Sequence, residues 1–165
     1  MAHGTFGGAL DARPRVLSKK SMVYLDTNVL MALLCPEPES GWVMGWFAKS
    51  DSLELVSSPW NRTELASALA IKRRTKQLGA KEVDIALAKG LAILGTTRCE
   101  KVETVDFDEA ASLCAQATTN VRAPDALHLC LAQRVGCTTL ATMDVDMQKV
   151  AKKMGFKLVN FTKRN

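Results

Sequence analysis

From Met22 onward, short apolar runs alternate with longer stripes of helical spacing. MVYLD (22–26) is a compact β-rich run and predicts a buried strand. Thr27 to Cys35 is helical in pattern and stops at Pro36 and Pro38. Residues 40–49 predict a second, short helix crowded with Trp42, Trp46 and Phe47, and LELVSS (53–58) predicts a second strand. Pro59 opens a long helix, Trp60 to Gln77, closed by Gly79. Glu82 to Leu94 predicts the next helix, ended by Gly95, and KVETV (101–105) predicts a third strand. Phe107 to Thr118 reads as a helix, and Pro124 opens another that runs to Val135, with Gly136 as its stop. TTLAT (138–142), a helix from Met143 to Met154 ended by Gly155, and KLVNF (157–161) complete the series.

This order predicts an α/β fold, a three-layer α/β/α sandwich around a mostly parallel sheet of about five strands. In such sheets the site lies off the carboxyl ends of the strands. Residues 1–21 show no periodicity and are rich in Gly, Ala and basic residues. They read as a disordered arm, a tag remnant or an extension ahead of a single domain over 22–165.

Composition narrows the class. The chain has 165 residues, 47% hydrophobic and 24% charged, the balance of one soluble globular domain. No apolar run reaches the ~18 residues of a membrane span, and the first residues lack the apolar core of a secretory signal. Cys35, Cys99, Cys114, Cys130 and Cys137 form no C-x-x-C pair, and there are two histidines, which argues against a zinc site. Cysteines scattered in apolar surroundings read as reduced core residues of a cytoplasmic protein. The net charge is +5, but Arg13, Arg15, Lys19 and Lys20 stand against Asp11 alone in the arm, so the remainder is only mildly basic. Such a balance does not by itself announce a nucleic-acid partner. The placement of the acids says more.

Four acids fall at the ends of predicted elements. Asp26 ends the first strand in L-D-T-N, Glu64 lies one turn into the long and largely apolar helix, Asp125 follows Pro124, and Asp144 follows the fourth strand. Each has a structural alternative, as a helix cap or as a partner of a helix dipole. Thr142 is placed to cap the last helix, with Asp144 and Asp146 in its first turn. Together, the four can converge on one edge of a doubly wound sheet. Carboxylates gathered there repel one another, by about 4 kcal/mol per close pair at an effective dielectric near 20, and a cation would neutralise them. Oxygen ligands favour Mg²⁺ or Mn²⁺ over zinc.

The stretches VYLDTNVLMALL, SSPWNRTELASAL, RAPDALHLCLA and TLATMDVDM, in that order, resemble a PIN domain, in particular the toxin ribonucleases of VapC type. The resemblance spans residues 22–161, and the first and third stretches are its most specific parts. It implies a Mg²⁺- or Mn²⁺-dependent endoribonuclease that cuts RNA, a homodimer, and a cognate antitoxin that neutralises it. The family's acids carry over onto Asp26, Glu64, Asp125 and Asp144, with Thr27 or Asn28 at the polar position that supports the first acid or the attacking water, and Asp146 as an accessory acid. Asp26 and Asp125 are expected to anchor the principal cation and Glu64 and Asp144 to complete the site. The N-terminal arm departs from the family pattern. His128, one turn after Asp125, reads as a packed residue or as an aid to proton transfer.

For RNA backbone contact, Arg62 and Arg122 flank two of the acids, and Arg73 and Arg74 belong to a basic run, Lys72 to Lys76, that also suits a solvated helix end. The apolar helix Val83–Leu94 and the Trp42, Trp46 and Phe47 cluster read as core, or, on the resemblance, as a dimer face and an antitoxin groove. Rival readings are a non-catalytic scaffold that binds RNA or a partner, and a structure-specific DNA nuclease. A dehalogenase-like phosphatase would need a second Asp where Asn28 stands.

Overall fold

The computed structural model describes residues 1, 20–116 and 118–161. Most of the N-terminal arm expected from the sequence lies outside these residues. Five strands form one sheet: β1 Ser21–Leu25, β2 Leu53–Ser57, β3 Arg98–Cys99, β4 Thr139–Ala141 and β5 Lys157–Leu158. Their spatial order is β3-β2-β1-β4-β5, and every pairing is parallel. Seven α-helices accompany them: α1 Thr27–Leu34, α2 Ser40–Phe47, α3 Pro59–Arg74, α4 Ala80–Gly95, α5 Thr104–Cys114, α6 Ala123–Arg134 and α7 Val145–Lys153. Among the described residues no helix is long and apolar enough to cross a membrane.

The central strand shows why the sandwich has three layers. Side chains alternate across a strand. Met22 and Tyr24 join one core with residues of α5, α6 and α7, whereas Val23 and Leu25 join a second core with α1 to α4. Met22 to Leu25 of β1 are therefore all buried and largely apolar because both faces of the strand are covered. The chain lays β2 and β3 on one side of β1 and β4 and β5 on the other, so a topological switch point lies at the carboxyl end of β1.

Several boundaries differ from the sequence reading. The third strand is Arg98–Cys99, not 101–105, and Thr104 and Val105 belong to α5. Asp106 explains the shift: it accepts a hydrogen bond from the Glu103 backbone N–H at 2.8 Å and both Nε and Nη2 of Arg134, which draws the preceding residues into the helix. Helix α3 stops at Arg74 because Lys76 takes the left-handed conformation, φ 59°, and Gly79 instead precedes α4 as its N-cap. Helix α7 starts at Val145, and its cap is Asp144, whose Oδ1 accepts the Met147 N–H at 2.7 Å, in place of Thr142. Gly136 and Gly155, with φ 80° and 90°, do end α6 and α7 as read. All five cysteines are free, but Cys99 is exposed on β3 and not in the core.

Candidate functional site

The carboxyl end of β1 opens into a cleft of about 690 Å³ lined by Asp26, Glu64, Asp125 and Asp144, with Thr27 and Asn28 among its walls. The four acids come from four places: the end of β1, the second turn of α3, the first turn of α6 and the cap of α7. Asp146 stays apart. It does not line the cleft, and its carboxylate pairs with Lys149 at 2.8 Å. Arg62, Arg122, Arg73 and Arg74 are exposed and outside the cleft lining.

Asp26 holds the N-cap position of α1, yet its side chain makes no capping hydrogen bond. Its Oδ2 accepts from the Thr142 hydroxyl at 2.5 Å. Thr142 is oriented in turn by Asn28, whose amide donates to Thr142 Oγ1 at 3.1 Å while its own oxygen accepts the Met143 N–H at 3.1 Å. Asn28 thus ties the end of β1 to the turn after β4. Thr27 serves a different acid, donating to Glu64 Oε2 at 2.7 Å.

Asn61, fully buried in the first turn of α3, fixes the frame. Its amide nitrogen donates to the Leu25 carbonyl at 2.9 Å and to Thr27 Oγ1 at 3.2 Å, and its oxygen accepts the Ser58 N–H at 2.8 Å. Those backbone partners settle which way the amide points. A chain of bonds then follows. Ser58 Oγ donates to Asn61 Oδ1, Tyr24 OH donates to Ser58 Oγ, and His128 Nδ1 lies 2.8 Å from Tyr24 OH. On its other side, His128 Nε2 meets Glu64 Oε2 at 2.5 Å and lies 3.9 Å from Asp26 Oδ1. Every bond in the chain is satisfied at once when His128 carries both ring protons, as an imidazolium.

The electrostatics agree. Burial presses the His128 imidazole toward the neutral form, but the hydrogen bond to Glu64 and the charges of Asp26, Glu64 and Asp125 outweigh it and raise its pKa. Burial alone would raise the Glu64 pKa, but the His128 bond and charge, the Thr27 hydroxyl and the Trp60 indole bring it below the usual value. The Trp60 Nε1 is buried without a well-formed hydrogen bond of its own, so it helps Glu64 by proximity. Asp26 is raised, first by burial and then by Glu64, against the pull of His128 and Thr142. Asp125 is pushed up to about 6, by burial first and then by the charges of Asp26 and Asp144. Its carboxylate accepts no hydrogen bond from the described residues.

The cleft therefore holds more negative charge than one imidazolium neutralises, and a divalent cation fits that donor set. Asp26, Glu64 and His128 each place a ligand atom within 4.8 Å of the others'. Both nitrogens of the buried His128 are already engaged, which leaves the carboxylates as the donors open to the cleft. Sequence reasoning passed over Asn61, Tyr24 and Trp60 and read Thr142 as a cap and not as the partner of Asp26. The signal for Asn61 was its place three residues after Ser58, ahead of an apolar helix.

The profile of the family described as the PIN domain matches residues 23–153. Ribonuclease VapC35 of Mycobacterium tuberculosis is 27% identical over 142 residues, covering 84% of this chain and 96% of its own length. Two crystal structures share the fold. VapC20 of Mycobacterium tuberculosis, a toxin that cleaves the Sarcin-Ricin loop, superposes with a TM-score of 0.62 at 18% identity, over 78% of this chain and 94% of that one. FitAcB from Neisseria gonorrhoeae superposes with a TM-score of 0.60 at 22% identity, over 85% of this chain and 98% of that one.

Proposed function

Because the chain belongs to the PIN-domain family, we propose that its cleft hydrolyses RNA phosphodiester bonds with a divalent cation, and that the protein is the toxin of a toxin–antitoxin pair. The observation that carries this reading is the meeting of Asp26, Glu64, Asp125 and Asp144 in one cleft. The ribonuclease VapC35, which matches over most of both chains, supports RNA as the substrate.

Asp26 and Asp125 would hold the principal Mg²⁺ or Mn²⁺, with Glu64 and Asp144 completing the site. When bound, the cation supplies Lewis acidity, offsetting phosphate charge and making the attacking water more acidic. The protein's own groups do the positioning. Thr142 fixes one oxygen of Asp26, and Thr27 and His128 share Oε2 of Glu64, so the other oxygen of each carboxylate stays available. The His128 proton at Nε2 keeps Glu64 ionised, and no side chain need act as nucleophile.

RNA and DNA of one sequence, incubated with Mn²⁺, Mg²⁺ or EDTA, test the reading. Wild type is expected to cut RNA with either cation and to stop in EDTA without unfolding. Asp26→Asn is expected to lose on the order of 100-fold in rate. RNA bound but left uncut under every condition would favour the scaffold, and cutting of DNA alone would favour the DNA nuclease.

Arg62, Arg122, Arg73 and Arg74 are proposed for outer backbone contacts. The exposed apolar residues Trp42 and Met44 on α2 and Ile85 and Leu91 on α4 are proposed to meet the antitoxin or a second copy in a homodimer. A cytoplasmic setting suits the five free cysteines.

A further inference from the structure

The cleft continues past the carboxylates along one face of α3, where Trp60, Glu64, Ala68 and Lys72 follow at successive turns. Among the described residues that line it, Lys72 is the one basic residue, against five acids. The other bases of the same run, Arg73, Arg74 and Lys76, are exposed and do not line it. Lys72 is not idle. Its Nζ lies 3.1 Å from Glu37 Oε1, with the two side chains 20% and 25% exposed, and donates to Gln77 Oε1 at 3.3 Å.

Both ends of this ion pair are held. The Lys72 carbonyl accepts the N–H groups of Gln77 and Leu78 in the turn that ends α3. Glu37 sits between Pro36 and Pro38, and its N–H donates to Ser40 Oγ at 3.0 Å. Eight residues of helix set Lys72 roughly 12 Å from Glu64 along the axis, so it would meet a phosphate other than the one being cut. A partly exposed ion pair is weak, and a phosphate, with its own charge and several acceptor oxygens, can displace the carboxylate.

We infer that Lys72 binds a backbone phosphate of the RNA strand beyond the cut site, and that Glu37 occupies it in the absence of RNA as a built-in competitor. The inference rests on the ribonuclease reading of the cleft. The Glu37 carboxylate thereby limits how tightly RNA is held before the cation site is engaged.

Fluorescence anisotropy with a labelled single-stranded RNA in EDTA, over a series of salt concentrations, tests it without cleavage. Lys72→Gln is expected to weaken binding and to reduce the slope of log affinity against log salt by about 0.7, and Lys72→Arg to keep the slope. Glu37→Gln is expected to tighten binding about two- to fivefold. The double variant is expected to match Lys72→Gln, because Glu37 acts through Lys72. Equal tightening by Glu37→Gln with or without Lys72 would reduce the effect to general charge and overturn the inference. So would a salt slope unchanged in Lys72→Gln. Wild type that leaves RNA uncut in Mn²⁺ would sink the nuclease reading, while these binding measurements would still decide what Lys72 does.

Discussion

Asp125 shows how a single side chain carries the character of the site. Its pKa of about 6 stands above the ordinary value near 3.9. Between those values the folded state binds more protons than the unfolded one, so its contribution to stability is full below about pH 4 and is lost as pH rises through about 6. The raised values of Asp26 and His128 act in the same sense, whereas the lowered Glu64 and Asp106 cost stability only at more acid pH. The metal-free protein is thus expected to melt at a lower temperature at pH 7 than at pH 5. Asp125→Asn is expected to flatten that profile and to add about 1–2 kcal/mol at pH 7, a figure discounted for partial solvent screening. Thermal melts of both proteins in EDTA across this range would show it, and a profile rising toward pH 7 would contradict it. The acids themselves were legible in the sequence because a carboxylate at a strand end or in an apolar helix is conspicuous. Asn61 and Thr142 were not, because a buried amide or hydroxyl is recognised by partners that lie far off in sequence.

Among the elements, legibility followed the strength of local signals. Pro59, Gly136 and Gly155 marked boundaries that the structure keeps, since each imposes a backbone conformation by itself. The third strand was misplaced because KVETV has strand-like composition, while the bond from Arg134 to Asp106 that starts α5 early is tertiary. The contact of α3 with α4 is likewise invisible in the sequence. A Cβ at Gly90 would come within 2.5 Å of Leu65 Cδ2 and 2.8 Å of Leu34 Cδ1. Helix propensity favours Ala there by roughly 1 kcal/mol, but the crowding at buried Leu65 and half-buried Leu34 costs about 1–3 kcal/mol. Gly90→Ala is therefore expected to destabilise the protein by up to about 2 kcal/mol, read from urea unfolding. A stabilised variant would mean that α4 can move away from α3 without loss.

At the scale of the molecule, the parallel order and the sandwich were readable because alternating strands and helices admit few arrangements. The strand order was not, since nothing in β2 or β4 alone names its neighbour. That order sets β1 between β2 and β4, where the winding of the chain reverses, and the switch point beside it gathers the four carboxylates. A cation held there by the proposed four acids would join the end of β1 to α3, α6 and α7, so it is expected to stabilise the fold as a whole. At a hundredfold excess over its dissociation constant the gain is about 2.7 kcal/mol, or roughly 5–10 °C in melting temperature for a chain of this size. Scanning fluorimetry with Mn²⁺ would measure the rise, and Asp26→Asn is expected to abolish most of it; an equal rise in both proteins would place the ion elsewhere.

Asp26 and Asp144 stand near opposite ends of the described fold in sequence, although both line one cleft. A nascent chain still on the ribosome has therefore made its first carboxylate long before its last. Until β4 is synthesised and takes its place beside β1, the half-finished polypeptide lacks Asp144 and cannot assemble the four-carboxylate cleft.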